Sequence, residues 1–223
     1  MCDKKYTLLI LFYCLLTPCL YAQELIEIGT DQIKMSISSR YQYHILNYGQ
    51  RFPNDIDEKP YVVIWTFRKD KDFFETGGYS SKNFTEIENS IRNNNPNNID
   101  LDWGIGQLIS VKGKRLYDCL VFSRDEVEDQ TIERIVFGYT NSYWIIVRFF
   151  GNNLKEQIIK EVPQYFTTRN RVRIWNFEKK DEAGRDSLEL FYRRTMSGTI
   201  ESLHLRDWYN ETTKIIESIV LFE

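Results

Sequence analysis

The chain has 223 residues, with 29 basic against 32 acidic side chains and a formal net charge of −3. That balance argues against the concentrated basic surface that nucleic-acid phosphates require. Four cysteines and two histidines are too few for a disulfide-rich scaffold or a histidine-rich metal site.

The first residues, "MCDKKY", are weakly basic, and "TLLILFYCLL" follows as an uncharged, mostly apolar run. Pro18 breaks it, and "CLYA" precedes the polar "QE". This is the anatomy of a secretory signal peptide, with cleavage expected after Ala22. A lipid anchor on Cys19 is the alternative, although Pro18 stands where a small residue is preferred. The run is shorter than the roughly 20 residues that span a bilayer, and no later stretch approaches that length, so no transmembrane segment is expected. The reading is an exported protein, periplasmic or on the outer surface of a Gram-negative bacterium. Ala22 and Ala183 are the only alanines, a bias that speaks of an A+T-rich genome rather than of chemistry.

Removing residues 1–22 takes away Asp3, Lys4 and Lys5 and leaves 201 residues with a net charge of −4. Only Cys119 remains of the cysteines, so no internal disulfide can form and the core must supply stability. Cys119 lies in the apolar "RLYDCLVFS" and is expected to be buried.

Along the rest of the chain, strand patterns dominate. "LIEIGTDQIKMSI" reads as two strands about the turn at Gly29, Thr30 and Asp31. "YVVIWTF", residues 61–67, is apolar on both faces and is expected to be a central, doubly covered strand. "FTEIENSIRNN" is a short helix candidate. "QLISVKGKRLYDCLVFS" folds back at Lys112 and Gly113, and "ERIVFGYTNSYWIIVRFF" at Thr140, Asn141 and Ser142. "NNLKEQIIKEVPQYF" then predicts a helix capped by Asn153, with Leu154, Ile158, Val162 and Phe166 on one face and its last turn made irregular by Pro163. "RVRIWNF" and "SLELFYRR" read as two further strands around the charged turn "EKKDEAGRDS". A last helix places Trp208, Thr212, Ile215, Ile216 and Ile219 on one side.

Consecutive hairpins with packed helices define an α+β class built on a mainly antiparallel sheet. The expected organisation is one domain over residues 23–223, with a core at about 25–167 and a C-terminal elaboration at 168–223. The segment "IKMSISSRYQYHI", the hairpins ending in "FGYTNSYWIIVRFF", and the closing "TTKIIESIVLF" resemble the PsbP-like α/β/α fold of PsbP and DcrB-type envelope proteins. The likeness covers the order of elements over about residues 25–167 and the last helix, and residues 168–206 depart from it as an insertion. It implies binding, accessory or immunity-type roles and brings no shared catalytic residues.

Chemistry-bearing motifs are sparse. His44 and His204 lie in no metal-ligand spacing, and there is no nucleophile elbow, Walker loop or dinucleotide fingerprint, so no cofactor is expected. "NNNPNNIDLDWGIG", residues 93–106, offers oxygen ligands, with Asp100 and Asp102 as the candidate metal pair and Gly104 as a bend. The segment lacks the later ligands of an EF-hand loop and turns apolar instead. Trp103, Trp175 and Trp208 border loops or helix starts, where an aromatic serves either a partner or the core, whereas Trp65 and Trp144 lie inside strands. The loop "NYGQRFPNDIDEKPY" places Phe52 beside Asp55, Asp57 and Glu58, a candidate partner-facing patch with Trp103. The expectation is a non-enzymatic protein-binding or envelope accessory protein, with a protein partner and no nucleic acid. An extracytoplasmic hydrolase or carbohydrate-binding module, with its site near residues 93–106, is the alternative.

Overall fold

The computed structural model describes residues 24–46, 60–70, 81–95, 104–121, 132–151, 154–169, 172–176, 178 and 180–223. In chain order the elements are β1 (Leu25–Gly29), β2 (Ile33–Ser38), β3 (Gln42–Leu46), β4 (Tyr61–Arg68) and α1 (Ser81–Asn93). Then come β5 (Gly104–Val111), β6 (Lys114–Val121), β7 (Ile132–Tyr139), β8 (Tyr143–Gly151) and α2 (Leu154–Glu161). A 3-10 turn at Pro163–Tyr165, β9 (Phe166–Arg169), β10 (Val172–Trp175), α3 (Ser187–Met196), α4 (Leu203–Ser218) and β11 (Val220–Leu221) complete them.

The class is α+β. A six-stranded sheet runs in the order β3-β4-β8-β7-β6-β5, and β1-β2-β11 and β9-β10 form two smaller sheets. All pairings in the large sheet are antiparallel except β3 with β4, which is parallel. Strand β4 is buried from Tyr61 to Phe67, as its two-sided apolar pattern requires. Its side chains alternate between two cores. Val62 and Ile64 join Val136, Val147 and Phe149 in a cluster shared with α2, α3, α4 and the β1-β2 hairpin. Val63, Trp65 and Phe67 point the other way and join Phe137 and Ile146 beneath α1. Helix α1 is fastened there by Phe84, Ile87 and Ile91, spaced on one helical face and each buried. Each such burial is worth about 1.5–3 kcal/mol.

The hairpin turns fall where glycine and asparagine chemistry put them. Lys112 and Gly113 both have positive φ, 47° and 79°, so the β5-β6 hairpin closes through a two-residue type I′ turn. The backbone bond of such a turn joins its flanking residues, here Val111 and Lys114. Antiparallel alternation then directs the backbone groups of Ile109, Gln107 and Ile105 toward β6, and those of Ser110, Leu108 and Gly106 toward the outer edge of the sheet.

Two expectations are corrected. "SLELFYRR" is the helix α3, not a strand. Asp186 caps it by accepting the Glu189 N–H at 2.9 Å, and Leu188, Phe191, Tyr192 and Thr195 recur with helical period on its buried face. The helix expected through Phe166 stops at Glu161, because Pro163 supplies no N–H and its ring crowds the preceding turn. Phe166 instead begins β9 and stacks against Trp175 at 4.7 Å between ring centroids. Trp175 and Trp208 take the core role that large aromatics favour, being 0% and 5% exposed. Trp175, Phe191, Tyr192 and Ile200 belong to the same cluster as Ile64 and Val147, so the C-terminal segment shares its core with the large sheet.

Among the described residues no helix is long and apolar enough to cross a membrane.

Candidate functional site

Strand alternation carries two charged residues into the interior. Asp118 lies between Leu116 and Leu120 on the inward face of β6, and Arg134 between Ile132 and Val136 on β7. Their side chains are 2% and 3% exposed. Arg134 Nε donates to Asp118 Oδ1 at 2.8 Å and Nη2 to Oδ2 at 2.7 Å, a bidentate pair. Arg134 Nη1 reaches α4, donating to the Tyr209 carbonyl at 2.8 Å and to the hydroxyls of Thr212 and Thr213 at 2.9 and 2.7 Å. The guanidinium lies 3.8 Å from the Tyr209 ring centroid. Burial and the neighbouring Asp118 carboxylate push the Tyr209 phenol above its ordinary range. With its charges paired and its donors engaged, the cluster is a clamp between sheet and C-terminal helix, and Gln107 of β5 reaches its Asp118 and Tyr209 at 3.4 Å each.

A second cluster places a serine, a carboxylate and a histidine together. Ser202, the N-cap of α4, accepts the Leu205 N–H and donates to Glu161 Oε2 at 2.5 Å. His204 Nδ1 stands 2.6 Å from Glu161 Oε1. Burial raises the Glu161 carboxyl, but the hydrogen bonds from Ser202 and His204 outweigh it and hold the group below its usual range. Nucleophile activation needs the imidazole between hydroxyl and carboxylate. Here the carboxylate sits between the other two, and Ser202 is fully buried. The cluster ties α2 to the start of α4. Cys119 is equally inert: it is buried, and burial followed by the adjacent Asp118 charge pushes its thiol upward, away from the reactive thiolate.

The open feature lies between β5 and α3. Strand β5, "GIGQLISV", ends the large sheet, and among the described residues no strand pairs with its outer edge. A groove of about 630 Å³ runs there, with Ile105, Gly106 and Gln107 on the strand side and Arg185, Leu190 and Arg193 among the groups opposite. A smaller cavity of about 210 Å³, floored by Tyr165 and Ser187, joins it through Asp181, Leu190 and Arg194. Gly106 is needed at the strand wall, since a Cβ there would meet the Tyr117 ring at 2.1 Å. Arg185, Arg193 and Arg194 are 39%, 56% and 44% exposed. Arg185 donates two bonds to Asp181 Oδ2, at 2.8 and 2.6 Å, Arg193 pairs with Glu189, and Arg194 with Glu201. A guanidinium carries five N–H donors, so these partners leave it able to bind another carboxylate.

Phe52, Asp55, Asp57 and Glu58 of the expected partner patch, and Trp103, Asp100 and Asp102, all lie outside the described residues, as do Cys19 and the Ala22 junction. Among the described residues no group of three or more histidine, cysteine or acidic side chains is placed to hold a metal. His44 packs edge-on to Tyr61, at 6.4 Å between ring centroids, and His204 pairs with Glu161. The arginines of α3 went unnoticed in the sequence because that segment looks like a strand. The usable signal was Asp186 followed by Glu189 and Arg193, a helix cap and an i,i+4 pair.

Compared with known proteins, the chain matches no protein-family model, and no curated protein is significantly similar to it.

Proposed function

We propose that this chain is an exported, non-enzymatic binding protein of the bacterial envelope, which engages a protein partner through the groove between β5 and α3. The observation that carries this reading is the groove itself. A strand edge with which no described strand pairs faces Arg185 and a helix bearing Arg193 and Arg194, all half-exposed, and no other described cluster combines access with recognition groups. The buried charges at Asp118 and Arg134 are occupied in holding α4 to the sheet, and the serine at Ser202 in tying α4 to α2.

Export is supported by the basic start, the short apolar run and Ala22 ahead of Gln23. The PsbP-like order of elements belongs to the same proposal, since an accessory or immunity-type role suits a domain that presents a surface rather than a reacting centre. Affinity purification of the C-terminally tagged protein from its native cells tests the reading. A protein retained in stoichiometric amount, with a bait whose N-terminal peptide begins at Gln23, is the expected result. A bait recovered alone at native abundance contradicts binding, and one that retains residues 1–22 contradicts cleavage.

A further inference from the structure

We infer that the groove receives an extended, acidic segment of the partner, which adds to β5 as a further strand of the large sheet. This rests on the binding reading above and names its mode and chemistry. Strand β5 has eight residues without a charge or a proline. Natural edge strands are guarded by such residues, by a bulge or by a cover, because a bare edge is a template for another chain. Gly106, Leu108 and Ser110 direct their backbone groups to that edge, which suits them to pair with an incoming strand. Residues 105–109 are half-buried and Ser110 is exposed, so the edge is within reach.

Charge selects the occupant. Arg185, Arg193 and Arg194 border the groove, and of their partners Asp181, Glu189 and Glu201 only Asp181 is among its lining residues. A carboxylate-bearing segment would take up the donors that Asp181, Glu189 and Glu201 leave. The same charges oppose a second copy of this chain. Antiparallel self-pairing of β5 centred on Leu108 would set Lys112 of one copy opposite Gly104 of the other, toward the end of the strand where the groove arginines lie. The smaller cavity beside Tyr165 and Leu190 gives an apolar or small polar side chain of the incoming segment a place to anchor.

The test is fluorescence anisotropy of a labelled peptide of about eight residues, long enough to run the length of β5, with valine alternating with glutamate. A second peptide carries lysine for glutamate. The full chain should bind the glutamate peptide saturably and the lysine peptide at least about tenfold more weakly, a difference of about 1.4 kcal/mol. The double variant Arg193→Glu/Arg194→Glu should lose about tenfold or more through charge. Ser110→Pro, which removes one outward N–H at an exposed edge position, should weaken binding through the backbone. Circular dichroism melts show whether each variant is folded. Absence of binding, equal binding of the two peptides, or binding indifferent to both variants overturns the inference. So does a dimer in sedimentation that Ser110→Pro dissociates, since the edge would then belong to a second copy. A native partner whose retention ignores both variants leaves the binding reading standing and removes this one. A bait recovered alone while the peptide binds as stated does the reverse.

Discussion

Two groups of arginines sit on either side of strand β5 and behave in opposite ways. Arg134 is sealed between β7 and α4, with Asp118 and three acceptors of α4 around it. Arg185, Arg193 and Arg194 stand at the surface, each with one acidic partner and half of its surface in solvent. A desolvated charge must be saturated or it destabilises the fold, so the first group is committed to structure. An exposed pair contributes little to stability and exchanges partners cheaply, so the second group is available for recognition. Burial, rather than residue type, separates the two roles.

The sharpest way to break that contrast is to strand Asp118. Arg134→Met should cost about 3–5 kcal/mol in urea unfolding, because a buried carboxylate loses its counter-charge. Arg134→Met combined with Asp118→Leu should recover most of the loss, and an equally unstable double variant would show that the clamp acts through shape instead. Thr212→Val keeps the volume and removes one acceptor of the Arg134 guanidinium, with an expected loss of about 2 kcal/mol.

A half-buried case between the two extremes sharpens the comparison. Burial raises the carboxyl of Glu88 on α1, yet bonds from Lys69, Arg92 and the Trp144 indole win and hold it below the usual carboxylate range. A carboxylate depressed in the folded state contributes stability above its unfolded value and loses it as pH falls through the folded one. Wild type should therefore weaken as acid passes below about pH 4, with a change in Trp144 fluorescence. Glu88→Gln should start about 1 kcal/mol lower and show less of that acid dependence. Smallest of all on stability is Arg193→Glu/Arg194→Glu, with a shift below about 1 kcal/mol in the same unfolding experiment, although it should weaken recognition of the glutamate peptide about tenfold or more.

Much of the architecture was legible in the sequence. The turns at Gly29 to Asp31, Lys112 to Gly113 and Thr140 to Ser142 lie where the hairpins turn, and the apolar run at 61–67 is the doubly covered β4. These are local signals, each decided by turn chemistry or by burial on both faces. Elements whose pattern depends on distant partners were harder. Strand β3 is a short parallel edge with Tyr43 exposed, so it shows little alternation of its own. In α3, Leu188, Leu190 and Tyr192 mimic a strand's period, while the residues the core buries, Leu188, Phe191, Tyr192 and Thr195, follow the helix. Trp175 and Trp208 border loops, yet their size already favours the core, where both are enclosed. The Asp118 and Arg134 pair was readable in principle, as one charge at an inward position in each of two adjoining strands. The groove was not, because it exists only where a sheet edge meets a helix from much later in the chain.

Recognition, as proposed, falls on the outer edge of β5 beside Arg185 and the arginines of α3. Amide hydrogen exchange of the full chain, with and without the glutamate peptide, tests it at single residues. Slowed exchange at Gly106, Leu108 and Ser110, with Ile105, Gln107 and Ile109 already protected by β6, is the predicted result. Protection confined to other strands or helices, or no change at those three amides when the peptide is bound, would contradict it.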